Sequence, residues 1–217
     1  MSDIVFINGS PKAKDSVSGM LIDKIEALLQ AKSSVYQAVS LLRNENNAAA
    51  LTEILNARVL LIVFPLYVDS LPAPLIRVLN LLEEAAPKMA GQLPRLYGVC
   101  NCGFFEAEHN RLALEILENF AHCAGMGWGY GVGVGGGGFI AAQSKKMATG
   151  GPAFNVYSAL RELCAAIQDG KTRQQNVLVR PKIPRFLYQL GAHFGWRQMA
   201  KKYGATAFLQ AKPHREV

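Results

Sequence analysis

Three short strings concentrate the residues able to bind or react, and each follows an apolar run. The first, Asn8-Gly9-Ser10-Pro11-Lys12-Ala13-Lys14-Asp15-Ser16-Val17-Ser18-Gly19, comes after Ile4 to Ile7 and before Met20, Leu21, Ile25, Leu28 and Leu29 at helical spacing. Hydroxyls and lysines just ahead of a helix suit an anion. Free N–H groups and the positive dipole end favour a phosphate there, Ser10, Ser16 and Ser18 can donate hydrogen bonds, and Lys12 brings charge. The same serines also suit capping, with Ser16 or Ser18 meeting the helix N–H groups itself. No G-K-[ST] occurs and Lys12 precedes Ser16 and Ser18, which argues against a triphosphate loop of Walker type.

The second string, Pro65-Leu66-Tyr67-Val68-Asp69-Ser70-Leu71-Pro72-Ala73-Pro74, is stiffened by proline at both ends. A flat ligand could rest on it, with Tyr67 offering a ring face and Leu71 an apolar edge. Pro72 and Pro74 also serve to start the next helix. The third string, Asn101-Cys102-Gly103-Phe104-Phe105-Glu106, again joins small residues to aromatics.

The elements that must position these strings alternate. Ile4 to Asn8, Val35 to Val39, Val59 to Phe64 and Leu96 to Cys100 read as strands, each followed by a helical pattern: Met20 to Leu29, Asn46 to Ala57, Leu75 to Leu82 and Leu112 to Phe120. Val59 to Phe64 is continuously apolar rather than alternating, as a parallel sheet covered on both faces requires. A fifth strand is read at Tyr130 to Val134 and a closing helix at Phe154 to Ile167. The expected fold is therefore α/β, a doubly wound, three-layer unit around a five-stranded parallel sheet. In such sheets ligands bind beyond the strand C-terminal ends, where all three strings fall.

Together, G-S-P-K with serines ahead of a helix, P-L-Y-V-D-S-L-P-A-P and N-C-G-F resemble the NADPH-dependent FMN reductase family of the flavodoxin-like superfamily, over about residues 4 to 138. The resemblance implies FMN, with Ser10, Lys12, Ser16, Val17 and Ser18 around its phosphate. Pro65, Leu66, Tyr67, Val68, Asp69 and Ser70 would border the isoalloxazine on one side, and Asn101, Cys102, Gly103 and Phe104 on the other. It further implies NADPH or NADH as electron donor, a small-molecule acceptor such as a quinone, nitro compound or flavin, and a homodimer. No catalytic side chain and no metal is implied, because the flavin carries the chemistry. Two departures stand out: no cysteine precedes Cys100, so the iron–sulfur cluster of some superfamily members has no ligands there, and Val17 stands where a polar residue is common.

Other candidates have bland readings. Gly131 to Gly138 satisfies G-x-G-x-x-G only because it is a glycine run, leaving a mobile loop near the flavin or close backbone packing. Cys100 and Cys102 read as core rather than as a redox or metal pair, and His122-Cys123 lacks partners at zinc spacing. His109 precedes a helix and reads as a surface residue ahead of a catalytic or gating one. Glu115 and Glu118 read as a solvated face.

The chain has 217 residues, half of them hydrophobic and 18% charged, which excludes general disorder. Its longest apolar run, Val59 to Val68, is too short to span a bilayer, and no signal-peptide pattern opens it. A reducing cytoplasm is expected. The net charge of +7 gathers in residues 171–217, which hold ten lysines and arginines against the single Glu216. Such clustering argues against a nucleic-acid-binding fold. The expected division is a flavodoxin-like FMN-binding domain at 1–170 and a basic helical extension at 171–217. Within the extension two short helices are read, with Phe186, Leu187, Leu190 and Phe194 on the first and Trp196, Met199, Ala200 and Tyr203 on the second. They would pack on the body or a twin subunit, or make weak membrane-surface contact through 181–203. Alternatives to the reductase are a flavodoxin-type electron carrier and a flavin-free module acting through the extension.

Overall fold

The computed structural model describes residues 3–12, 14–31, 33–43, 47–209 and 211. The chain divides into two units, residues 1–182 and 183–217.

The first unit is built on six strands, β1 (Ile4–Asn8), β2 (Ser33–Gln37), β3 (Val59–Pro65), β4 (Arg95–Asn101), β5 (Gly127–Val134) and β6 (Val177–Val179). All pair in parallel in the order β2-β1-β3-β4-β5-β6. The first five strands follow the flavodoxin-like order, whose direction reverses between β1 and β3 and opens a crevice there. The count differs from the five expected, because Val177–Val179 extends the sheet beside β5.

The connecting helices are α1 (Val17–Leu29), α2 (Ala38–Arg43), α3 (Ala48–Leu55), α4 (Ala73–Ala85), α5 (Arg111–Cys123), α6 (Gly137–Ala142) and α7 (Phe154–Asp169). β2 lies two residues earlier than expected. The helix read across 46–57 is α3, preceded by the separate α2; residues 44–46 lie outside the described residues.

Strand alternation explains the layers. On β3, Leu60, Ile62 and Phe64 join the core formed with α2 to α5, whereas Val59, Leu61 and Val63 join that formed with α1 and α7. Successive strand side chains point to opposite faces, so one unbroken apolar run feeds both cores. Each fully buried large aliphatic contributes about 1.5–3 kcal/mol. At the strand N-terminal pole, Arg58 Nη1 donates to the Ile167 carbonyl at 3.2 Å and Arg95 Nη1 to that of Gly170. These cations satisfy carbonyls at the negative end of α7.

The second unit contains α8 (Arg185–Lys202) and a short 3-10 turn at Thr206–Phe208. The two helices expected here are one, because Gly195 is tolerated within a helix at a cost of about 1 kcal/mol. At 100° per residue, Phe186, Leu187, Leu190 and Phe194 fall on one side of α8, and Trp196, Met199 and Tyr203 on nearly the opposite side. All seven are exposed. No helix among the described residues is long and apolar enough to cross a membrane.

Candidate functional site

The crevice at the strand C-terminal pole is assembled from the loops after β1, β3 and β4. After β1, the Gly9 N–H still donates to Val63 O at 2.9 Å, and Asn8 Oδ1 accepts from the Ser10 N–H at 3.0 Å. This turn buries Ser10, whose Oγ accepts from the Lys12 N–H at 3.3 Å, and leaves Lys12 exposed. Ser16 caps α1: its Oγ accepts from the Gly19 N–H at 2.9 Å and its carbonyl from the Met20 N–H at 3.1 Å. The capping role open to Ser16 in the sequence is thus present. No acceptor meets the N–H groups of Val17 and Ser18 among the described residues, as expected of the first turn of a helix.

Ser18 is buried, and its Oγ accepts from Asn101 Nδ2 at 2.9 Å. The same Nδ2 donates to Phe64 O at 2.9 Å, while Asn101 O accepts from the Leu66 N–H at 2.8 Å. Asn101 therefore ties the first turn of α1 to the ends of β3 and β4. It spans the switch point with one side chain.

After β3, Pro65 and Leu66 are half-buried. Tyr67 and Ser70 then exchange both backbone hydrogen bonds, N–H to O at 3.0 and 3.1 Å. Between them Val68 and Asp69 take left-handed conformations, φ 51° and 56°. Two successive positive φ values define a type I′ turn, usually Asn-Gly, and Val68 occupies its tip 97% exposed. Tyr67 is also exposed. Leu71, read as an apolar edge of the site, is instead buried in the core beside α4. The N–H groups of Leu66, Tyr67 and Ser70 are all engaged, whereas no acceptor meets those of Val68 and Asp69 at the turn tip among the described residues.

After β4, Cys102 is locked in. Its N–H donates to Val134 O at 3.0 Å, its carbonyl accepts from the Gly137 N–H at 2.8 Å, and its Sγ lies 3.6 Å from the carbonyls of Phe104 and Glu106. Buried Asn110 adds an Nδ2–H to Sγ at 3.4 Å and another to Ala107 O at 2.9 Å. Burial pushes the Cys102 thiol above its ordinary pKa, and that of Cys100 well above. Both stay protonated at neutral pH, which suits a structural role. No cluster of metal-binding side chains occurs among the described residues.

Gly103 and Phe104 reach the surface. The Phe104 ring, 56% exposed, stacks on His109 with centroids 4.4 Å apart and planes inclined at 36°. Phe105 turns inward and is covered by Arg180, whose guanidinium carbon lies 4.8 Å from the ring centroid. The glycine run resolves into close packing: a Cβ on Gly135 would stand 2.5 Å from Phe105 O, and Gly136, at φ 68°, caps α6 in a left-handed conformation.

These residues fit a flat phosphorylated cofactor. Open N–H groups at the start of α1 and exposed Lys12 suit the phosphate, while Tyr67, Val68 and Phe104 put apolar surface around the crevice. Of the expected cofactor residues, Ser10, Lys12, Ser16, Val17, Ser18, Pro65 to Ser70 and Asn101 to Phe104 all lie on these three loops. The hydroxyl oxygens of Ser10, Ser16 and Ser18, however, accept bonds from the protein. The expected set omits Asn8, whose Oδ1 orders the turn after β1 and whose N-x-S string is a turn signal.

A cavity of about 570 Å³ lies at the opposite pole, lined by Asp3, Arg58, Arg95 and Tyr97 among others. Its arginines already serve α7 and Asp3.

The strand order and crevice define the flavodoxin-like α/β class. No family model matches the sequence. No curated protein matches it either. Among solved structures, the chain is similar to an apo NADH:FMN oxidoreductase, with 20% identity, TM-score 0.57, and coverage of 80% of this chain and 92% of that one. It is also similar to the general stress protein 14 of Treponema denticola in complex with FMN (11% identity, TM-score 0.52, 74% and 98% covered). A third likeness is to an NADPH-quinone reductase from P. pentosaceus (18% identity, TM-score 0.50, 80% and 99% covered). At such identities the likeness establishes the fold.

Proposed function

We propose that this chain is an FMN-dependent oxidoreductase that takes hydride from NADPH or NADH and passes electrons to a small acceptor such as a quinone, nitro compound or flavin. The observation that carries the reading is the Asn101 clamp. By holding the first turn of α1 against the ends of β3 and β4, it sets the helix N–H groups and the Tyr67 and Phe104 loops around one crevice. The names of the similar structures, two oxidoreductases and an FMN complex, support the same choice.

When bound, FMN supplies the hydride-accepting chemistry. The Val17 and Ser18 N–H groups and Lys12 would hold its phosphate. Pro65 to Ser70 and Asn101 to Phe104 would border its ring, and the Val68 and Asp69 N–H groups would be available as donors, preorganised dipoles of the kind that stabilise negative charge. No side-chain acid or base is required.

The working form in this reading is a cytoplasmic homodimer. The apolar residues on opposite sides of α8 favour a protein partner over a flat lipid surface, which can take only one side. A monomer by light scattering would remove the dimer from the reading. The reductase itself is tested by the visible spectrum of FMN-loaded protein during anaerobic addition of each coenzyme. Rapid bleaching supports it; bound flavin that stays oxidised supports an electron carrier instead.

A further inference from the structure

We infer that the cavity at the strand N-terminal pole binds a small organic carboxylate on Arg95. This second site lies at the other end of the sheet from the crevice and does not depend on the oxidoreductase reading.

Four adjacent chain segments build it. Asp3 precedes β1, Arg58 precedes β3, Arg95 opens β4 and Gly127 opens β5. The Val59 N–H donates to Asp3 O at 3.2 Å and the Arg95 N–H to Arg58 O at 3.0 Å, while Arg95 pairs in register with both Val59 and Gly127. Sheet register therefore brings two arginines into the lining of one cavity of about 570 Å³. Each donates from Nη1 to the end of α7, Arg58 to Ile167 O and Arg95 to Gly170 O.

The two differ at the other edge of the guanidinium. Arg58 directs Nε and Nη2 at the Asp3 carboxylate, at 3.0 and 2.9 Å, the forked geometry that a planar carboxylate matches. Arg95 has no carboxylate partner among the described residues. The space beside its Nε is open. A Cβ on Gly127 would stand 3.8 Å from that nitrogen and within 4 Å of no other group. Arg58 thus has its carboxylate within the chain, and Arg95 presents a like cation without one.

Charge and size set the ligand class. The Asp3–Arg58 pair is neutral as a unit and the remaining lining residues are uncharged, so Arg95 leaves the cavity with one positive charge. Arg95 is half-buried, and a guanidinium that has lost part of its hydration is best compensated by a bidentate anion. The negative end of α7 does not cancel this charge, because Ala166 O accepts from the Lys171 N–H at 2.8 Å and Ile167 O from Arg58. The volume falls within the roughly 300–1,000 Å³ of small-molecule sites, more than an inorganic ion fills. Ala57, Val59 and Leu93 give the organic body an apolar wall.

The test titrates the full-length protein calorimetrically with benzoate, with benzamide as its neutral isostere, and with inorganic phosphate. Benzoate is expected to bind saturably and about 10-fold or more tighter than either, as charge-assisted hydrogen bonds plus an apolar contact require. Arg95→Gln should erase the preference for benzoate over benzamide, and Arg95→Lys should retain part of it. Because Arg95 also bonds the end of α7, a second variant leaves it in place: Gly127→Val fills the space beside Nε. That variant should abolish benzoate binding while the melting temperature holds or rises, since valine favours a strand. Absence of saturable benzoate binding overturns the inference, as does benzamide or phosphate binding as tightly as benzoate. Benzoate affinity unchanged in Arg95→Gln or in Gly127→Val overturns it equally.

Discussion

Asn101 Nδ2 stands 2.9 Å from Ser18 Oγ and 2.9 Å from the Phe64 carbonyl, so one amide closes a link between residues 83 positions apart in sequence. Both acceptors belong to segments that end at the crevice, and Asn101 and Ser18 are buried. Asn101→Ala leaves these acceptors without their donor, at a cost of about 1–3 kcal/mol. Urea unfolding should show that loss, and fluorescence titration should show weaker FMN binding, because the first turn of α1 is no longer held against β4. Unchanged stability would mean that water replaces the amide without loss.

The Val68-Asp69 turn stores strain where the flavin ring is proposed to lie. A β-branched residue at φ 51° is a conformational outlier, and the left-handed region costs an ordinary L-residue roughly 1–2 kcal/mol. Val68 gains nothing from burial to offset this. Val68→Asn is therefore expected to raise stability by about 1 kcal/mol, moving the melting temperature up by about 2–4 °C for a domain of this size. A lower melting temperature would show that Val68 makes a compensating contact in solution.

How much of this was readable in the sequence depends on whether the signal is local. β3 announced itself through six consecutive apolar residues, and the three loops through proline, glycine and serine punctuation. β6 has only three residues, Val177–Val179, too few to carry a period, and it is a strand because β5 offers it an edge. The function of Asn101 depends on the register that sets it opposite Pro65, which no neighbouring residue encodes. The glycine run left both a mobile loop and close backbone packing open, because glycine is a poor strand former and permits either. Strand β5 uses it so that Leu114 of α5 and the 105–107 backbone can approach closely.

The Asp3–Arg58 pair gives an acid-side contribution of known sign. The Arg58 hydrogen bonds hold the Asp3 carboxyl below its ordinary pKa of 3.8. A depressed folded-state pKa stabilises the fold above the unfolded value, and this contribution disappears as pH falls through the folded value. Both side chains are about half exposed, so solvent screening limits the effect to under about 1 kcal/mol. Asp3→Asn should accordingly lower stability slightly at pH 7 and not at all near pH 2. A difference between native and variant that persists at pH 2 would place the effect in packing rather than charge.

Thiol accessibility separates a structural Cys102 from a reactive one. Cys100, Cys102 and Cys164 are buried and Cys123 on α5 is exposed. Burial raises the pKa of all three hidden thiols, that of Cys164 to about 12, which suppresses the thiolate that reacts with disulfide reagents. Titration with an aromatic disulfide at pH 8 should therefore release one equivalent rapidly from the native chain and four after denaturation. Cys123→Ser should abolish the rapid equivalent. Cys102→Ser should keep most of the coenzyme-dependent flavin bleaching, since a hydroxyl can donate to the Phe104 or the Glu106 carbonyl in place of the thiol and accept from Asn110 Nδ2. A second rapid equivalent that disappears when FMN is added would place Cys102 at the cofactor surface and assign its thiol a part in the redox chemistry.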